Sequence, residues 1–104
     1  MGGDGHTASF FPDAENIKEL LDVNAAKPLL SCFSPSTQVD RVTWSLAMLL
    51  DTSFLALHFT GESKLAVFEQ AVNDIELEDN AVTVLPIRSA IFQDRTPLNV
   101  YYAD

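Results

Sequence analysis

The chain has 104 residues, enough for one small domain, and its composition of 47% hydrophobic and 20% charged residues is that of an ordinary globular protein. No segment approaches the roughly 18 uninterrupted apolar residues of a membrane span, and no basic region leads into an apolar stretch as in a secretion signal. The net charge of -9 disfavours nucleic acid as a partner, because phosphate backbones need a basic surface. The single cysteine, Cys32, excludes an internal disulfide and suits a reducing compartment. We therefore expect a cytoplasmic protein without nucleic-acid or membrane partners.

The first third of the chain predicts a loop, a helix and a strand. Residues 1–12 are rich in Gly and small polar side chains and predict the loop. Residues 14–23 carry apolar side chains at helical spacing and predict the helix. The short apolar run at 27–33 has a proline near each end and predicts the strand.

The middle of the chain predicts two strands and two helices. The segment "RVTWSL" at 41–46 alternates, so a half-buried strand with Val42 and Trp44 on its core face is expected, and a short helix over 47–50 follows. In "SFLALHF" at 53–59 both alternating sets are largely apolar, which is typical of a parallel strand covered on both faces. His58 in this strand is therefore expected to be a satisfied core residue.

The last third begins with the second of these helices. Gly61 ends the preceding strand, and "ESKLAVFEQAV" at 62–72 has the spacing of an amphipathic helix that packs back on the sheet. The acidic run at 74–79 predicts a solvated loop, and the apolar runs at 81–87 and 98–103 predict further strands. Strand, glycine turn and helix in this order are half of a βαβ unit, so the fold class is α/β.

Three motifs carry a resemblance to a known family. "GGDGHTASFFP" at 2–12 resembles the signature of 6-phosphogluconolactonases. "RVTWSL" resembles the Arg-Val-Thr strand of that family, and "FTGESKLAVFEQAV" resembles its strand, Thr-Gly turn and Lys-bearing helix. The related amino-sugar phosphate isomerases share Asp-Gly-His but usually continue with Ile-Ala-Phe-Asn-Glu-Pro, so they are the less favoured alternative.

The resemblance implies a fold, an activity and a length. Residues 1–104 would form a single partial domain, the C-terminal portion of a doubly wound, mainly parallel sheet with packed helices. The family hydrolyses 6-phosphogluconolactone to 6-phosphogluconate in the pentose phosphate pathway without metal or organic cofactor. Family members begin with an N-terminal half that contains a phosphate loop, and this sequence does not include that half.

Lactone hydrolysis needs a base for water, donors for the oxyanion and a grip on the phosphate. His6 is the candidate base, because imidazole can accept and return a proton near neutrality. Asp4 could hold the imidazole in one tautomer. Gly3 and Gly5 lack side chains that would keep a substrate from their backbone N–H groups.

The remaining candidates are substrate-binding residues, each with a structural alternative. Lys64 lies in the first turn of a helix, where an anion is favoured, and the resemblance implies contact with the substrate phosphate; a solvated lysine is the alternative. Arg41 lies on the polar face of its strand and is a candidate second contact to the phosphate or the sugar acid; a solvent-facing arginine on an edge strand is the alternative. Thr7 and Ser9 could donate to substrate oxygens or could instead close the turn. No residues have metal-ligand spacing, so no metal is expected.

A second hypothesis belongs to another class of protein. Half of a doubly wound sheet leaves an unpaired edge strand and an apolar face, and such edges pair readily with another copy. The chain would then be a truncated, non-catalytic half-domain that forms a homo-oligomer through its exposed sheet edge.

Overall fold

The structure is a computed structural model that describes residues 1–73 and 81–104. The described residues form five helices and four strands. In chain order these are α1 (Ile17–Leu20), β1 (Leu29–Ser34), β2 (Val39–Trp44), α2 (Leu46–Leu49), β3 (Leu55–Thr60), α3 (Glu62–Asn73), α4 (Ala81–Val84), α5 (Arg88–Ile91) and β4 (Leu98–Ala103). No helix among them is both long and apolar enough to cross a membrane.

The strands form two separate pairs. β1 and β2 are an antiparallel hairpin in which Leu30 lies opposite Thr43 and Cys32 lies opposite Arg41. β3 and β4 are parallel, with Leu57 opposite Val100. The parallel pairing and the packed helices confirm the predicted α/β class.

Each pair of strands contributes to its own core cluster. The first cluster joins the hairpin to the start of the chain, and its buried members are Phe10, Phe11, Ala14, Ile17, Leu20, Leu30, Cys32, Leu46 and Leu50. The second lies against β3, and its buried members are Leu57, Phe59, Ala71, Leu85, Ile87 and Ala90. The predicted helix at 62–72 is confirmed as α3, and Leu65 and Phe68 pack against the second cluster.

The predicted core face of β2 is wrong. Thr43 is buried, whereas Val42 is 70% exposed and Trp44 is 51% exposed. Cross-strand partners share a face of an antiparallel pair, so Thr43 follows its partner Leu30 into the core. The register of the hairpin, and not the apolar character of β2 alone, decides which face is buried.

The strand at 53–59 is confirmed as β3, but its predicted burial on both faces is wrong. Leu57 and Phe59 are buried, whereas Ala56, His58 and Thr60 are exposed. The described helices cover one face of the β3–β4 pair only. His58 is therefore an exposed residue and not the core histidine that was expected.

Two further predictions fail, and a third lies outside the described residues. The run at 81–87 forms α4 and a buried turn instead of a strand. The helix expected at 14–23 shortens to α1, and beyond its end the Val23 carbonyl accepts from the Arg95 guanidinium at 2.6 Å. The acidic run at 74–79 falls within the residues that the structure does not describe.

Candidate active site

The opening loop, residues 2–13, is closed by hydrogen bonds among its own backbone groups. The Gly2 N–H donates to the His6 carbonyl at 2.9 Å, and the Gly5 N–H donates to the Gly2 carbonyl at 3.0 Å. Gly5 has a φ of +82°, a conformation that glycine adopts without steric cost. The sequence therefore folds here into a tight turn that presents Asp4 and His6 side by side.

Asp4 and His6 form a side-chain hydrogen bond at the tip of this turn. Asp4 Oδ1 lies 2.5 Å from His6 Nδ1 and also accepts the His6 backbone N–H at 3.0 Å. Partial burial works to raise the pKa of the Asp4 carboxyl, but the hydrogen bonds from His6 outweigh it and the pKa is lowered. An ionised Asp4 can only accept, so the proton of a neutral His6 lies on Nδ1 and Nε2 carries a free lone pair.

The two leading glycines differ in the space that surrounds them. A Cβ on Gly2 would overlap with the His6 ring and lie 3.1 Å from Asp4 Oδ1, whereas a Cβ on Gly3 would meet nothing within 4 Å. Gly2 is thus required for the His6 ring to occupy its position. Gly3 is exposed and open to an approaching molecule.

The loop is anchored to the rest of the chain at three places. The Gly5 carbonyl accepts from the Ile87 N–H at 2.8 Å, which fixes the turn to the segment before α5. The Ser9 N–H donates to Thr43 Oγ1 at 3.4 Å, which joins the loop to β2. At the end of the loop, Asp13 accepts from Ser34 Oγ at 2.7 Å and from the Ser36 N–H.

Arg41 reaches the same region from the hairpin. Its register places it on the inner face of β2, opposite Cys32, and its guanidinium carbon lies 5.4 Å from the centroid of the Phe11 ring. The imidazole of His6 packs on the same phenylalanine, with ring centroids 4.4 Å apart. Arg41 forms no ion pair with a carboxylate in the described part of the chain.

Lys64 follows the carboxyl end of β3. Gly61, with a φ of +92°, turns the chain out of β3, and Lys64 follows in the first turn of α3. Burial lowers the pKa of the Met1 amino group, and the positive charge of Lys64 lowers it further. In the first turn of α3, the helix dipole adds to the charge of Lys64 in favouring an anion. Within residues 1–73 and 81–104, Lys64 has no carboxylate in ion-pair contact.

The other predicted contacts are less open to a ligand. The Ser9 side chain is buried, and the Ser9 carbonyl accepts from Cys32 Sγ at 3.5 Å. The Thr7 carbonyl closes a turn with the Phe10 N–H, while its side chain is half-buried. The Gly5 N–H is already engaged within the loop. Contact of these three residues with substrate stays a prediction.

The sequence reasoning missed two residues of this region. Phe11 is a core residue, as expected of the phenylalanines, but it also contacts His6 and Arg41. Asp13, which precedes the expected helix, instead ties the loop to the turn between β1 and β2. Both residues belong to the same short loop as Asp4 and His6, and this nearness in the sequence was the signal that could have identified them.

The opening loop brings together an imidazole and the carboxylate that binds it, and Arg41 packs on the same phenylalanine as the imidazole. Among the described residues, no group of three His, Cys, Asp or Glu side chains is placed to hold a metal ion. An imidazole held in this way can accept and return a proton at Nε2.

Known proteins resemble this chain in sequence and in fold. The model of the family described as glucosamine-6-phosphate isomerases/6-phosphogluconolactonase matches residues 1–97. A 6-phosphogluconolactonase of Mesorhizobium japonicum is 39% identical over 99% of this chain and 40% of its own length. One of Rhizobium meliloti is 34% identical over 99% of this chain and 42% of its own length.

A solved structure gives the same result. The crystal structure of a 6-phosphogluconolactonase from Shewanella baltica superposes on 100% of this chain with a TM-score of 0.85 and 33% identity, over 42% of its own length. The chain thus spans about two fifths of the length of the relatives that it matches. The match to the family model over residues 1–97 shows that this chain belongs to the glucosamine-6-phosphate isomerase and 6-phosphogluconolactonase family.

Proposed function

We propose that this chain carries the water-activating part of a 6-phosphogluconolactonase site, and that His6 is the base in the hydrolysis of 6-phosphogluconolactone to 6-phosphogluconate. The observation that carries the proposal is the 2.5 Å contact between His6 Nδ1 and Asp4 Oδ1. It leaves Nε2 free to accept a proton from water, as a general base requires. The names of the relatives supply the substrate class.

The proposed reaction has two steps. His6 Nε2 takes a proton from water while the water oxygen bonds to the lactone carbonyl carbon, and the carbonyl oxygen becomes an oxyanion. The bond from that carbon to the ring oxygen then breaks, and the imidazolium returns its proton to the departing ring oxygen. Asp4 stabilises the imidazolium between the two steps. The acid product ionises at neutral pH, so turnover releases a proton.

The phosphate of the substrate would be held by Lys64 and Arg41. Both cations lack carboxylate partners within the described residues, and the net charge of the chain is -9. An anionic substrate is therefore attracted only locally, where a cation outweighs the general negative field. Lys64 lies in the first turn of α3, so the positive end of the helix dipole and the Lys64 charge both favour an anion there.

The test compares two histidines of the same chain. Acid release from 6-phosphogluconolactone is followed for the unmodified chain, for His6→Ala and for His58→Ala, the last being an exposed histidine on β3. We expect the His6 variant to lose about two to four orders of magnitude in rate and the His58 variant to keep the parent rate. Equal rates for all three proteins would reject His6 as the base. Turnover of an amino-sugar phosphate instead of the lactone would favour the isomerase branch of the family.

A second candidate, a non-catalytic half-domain that self-associates, is favoured by a different observation. The outer face of the hairpin, formed by Leu29, Phe33, Val42 and Trp44, exposes between 39% and 70% of each side chain. In addition, β3 and β4 each pair on one side only among the described strands. Exposed apolar faces and open edges of this kind associate readily.

Under this second candidate the partner is another copy of the chain. We expect light scattering to give a dimer or a higher oligomer whose population rises with concentration. A monomer across a wide concentration range would contradict self-association. An inactive oligomer would favour the non-catalytic half-domain. An oligomer with lactonase activity would mean that the chain both self-associates and catalyses the reaction.

A further inference from the structure

We infer that Phe11 is a positioning residue of the proposed site, whose buried ring fixes the imidazole of His6 and the guanidinium of Arg41. This inference deepens the proposed function and rests on it for the catalytic roles of the two neighbours. The geometry itself does not depend on that function. It consists of one ring in contact with two chemically active groups from different parts of the chain.

The two contacts have the distances of real interactions. The His6 and Phe11 centroids are 4.4 Å apart with planes inclined by 34°, at the close end of the distances of packed aromatic pairs, which begin at about 4.5 Å. The Arg41 guanidinium carbon lies 5.4 Å from the Phe11 centroid, within the roughly 6 Å range of a cation–π contact. His6 belongs to the opening loop and Arg41 to β2. The Phe11 ring is thus a shared contact between the candidate base and a candidate phosphate ligand.

The Phe11 ring is itself held in place. It is 4% exposed and belongs to the core cluster that also contains Leu30 and Cys32. The next residue is Pro12, which restricts the backbone of Phe11 to extended conformations. The Phe11 carbonyl accepts from the Ala14 N–H at 3.0 Å. Because the core holds the Phe11 ring in place, the ring can restrict the positions of the His6 and Arg41 side chains that pack on it.

The bond to Asp4 alone does not fix the orientation of the His6 ring. The His6 side chain remains 31% exposed, and the bond to Asp4 fixes one nitrogen but allows the ring to rotate about that bond. Contact with the Phe11 ring removes this freedom and sets the direction of the Nε2 lone pair. Small displacements of a catalytic group reduce rates steeply, by up to about a hundredfold for 1 Å.

The test replaces the ring and retains the apolar bulk. Phe11→Leu is compared with Phe10→Leu, which removes a neighbouring buried ring of the same cluster, and with Phe11→Tyr, which keeps the ring. Proton NMR of the histidine rings without substrate is the first readout. The exposed His58 is the internal reference. The rate of lactone hydrolysis is the second readout.

We expect the His6 ring protons of the parent to be shifted upfield of those of His58 by the Phe11 ring current. Phe11→Leu should move them toward the His58 values, whereas Phe10→Leu and Phe11→Tyr should not. In the assay, Phe11→Leu should lower kcat about tenfold or more and raise KM through Arg41. Phe11→Tyr should recover most of kcat. Phe10→Leu should lower Tm with kcat close to the parent value.

Several outcomes overturn the inference. Unchanged His6 ring signals in Phe11→Leu would do so, as would an equal loss of kcat in Phe10→Leu. If Phe11→Leu does not fold, the parent protein still decides, because absence of a nuclear Overhauser effect between the His6 and Phe11 rings contradicts the contact. If the parent has no lactonase activity, the proposed function fails while the NMR arm still tests the positioning role.

Discussion

The opening loop and the outer face of the β1–β2 hairpin use their side chains in opposite ways. In the loop, Asp4 and His6 bind each other and Phe11 is buried. On the outer face, Val42 and Trp44 are apolar and more than half exposed. Residues of this chain alone thus hold Asp4 and His6 together, whereas they leave the apolar outer face of the hairpin in contact with water.

The two regions differ in whether contacts within the chain are sufficient to hold and cover them. The loop is held by bonds to Ile87, Thr43 and the turn after β1, all within the chain. The outer face has the composition of an interface core, in which aromatic residues are enriched. The chain spans about two fifths of the length of the relatives that it matches.

The largest effect is expected for two adjacent leucines of β1. Leu30 is 7% exposed and Leu29 is 49% exposed, so the pair compares the two faces of one strand. Leu30→Ala should lower the free energy of unfolding by about 2–5 kcal/mol, and Leu29→Ala by less than about 1 kcal/mol. Denaturant unfolding at low protein concentration measures both. A loss for Leu29→Ala that equals that for Leu30→Ala would show that the outer face is already covered.

The next effect concerns Gly2 and Gly3. Gly2→Ala places a methyl group where the His6 ring lies, so we expect a loss in kcat of about a hundredfold and a change in the His6 NMR signals. Gly3→Ala has open space around its Cβ and should leave the His6 signals as they are. Any effect of Gly3→Ala should therefore fall on KM. Equal disturbance of His6 by the two variants would contradict the described loop.

The smallest effect is the pH dependence of stability contributed by the loop carboxylates. The hydrogen bond from Ser34 lowers the pKa of Asp13, and the bonds from His6 lower that of Asp4 against the effect of burial. A carboxyl with a lowered pKa in the folded state adds stability above its ordinary pKa of about 4. That stability is lost as the pH falls through the lowered folded value.

Thermal unfolding between about pH 6 and pH 2 checks this expectation. The Tm of the parent should decline below about pH 4, and Asp13→Asn should reduce the decline by removing one of the two groups. The Asp13 carboxylate binds the Ser34 hydroxyl and the Ser36 N–H, away from His6, so this variant should retain the His6 signals. An unchanged decline in Asp13→Asn would mean that its carboxylate does not hold the loop to the hairpin.

Local patterns predicted the elements whose determinants lie close together in the sequence. Gly61 and the spacing of residues 62–72 were sufficient for α3, since the turn and the helix depend on neighbouring residues. Asp4 and His6 are two residues apart, so their proximity also follows from the motif. For β3 the apolar run predicted the strand and the burial of Leu57 and Phe59, but it also predicted burial of the opposite face, which is exposed.

The errors arose where distant residues decide. The buried face of β2 depends on the pairing of Thr43 with Leu30, which alternation within β2 cannot reveal. The β-branched run at 81–87 favours a strand by propensity, but the Ile87 N–H is bonded to the Gly5 carbonyl and the run is helical before that point. The contact of Phe11 with Arg41 likewise depends on how the loop meets the hairpin.

The most direct test of the central claim, that the opening loop of this chain already orders His6 for catalysis, is nitrogen-15 NMR of its two histidines at a pH where both rings are neutral. We predict that His6 carries its proton on Nδ1, donated to Asp4, while the exposed His58 shows the mixture of tautomers of a free imidazole. Asp4→Asn should disturb only the His6 signals. A proton on Nε2 of His6, or His6 signals that match those of His58, would contradict the account.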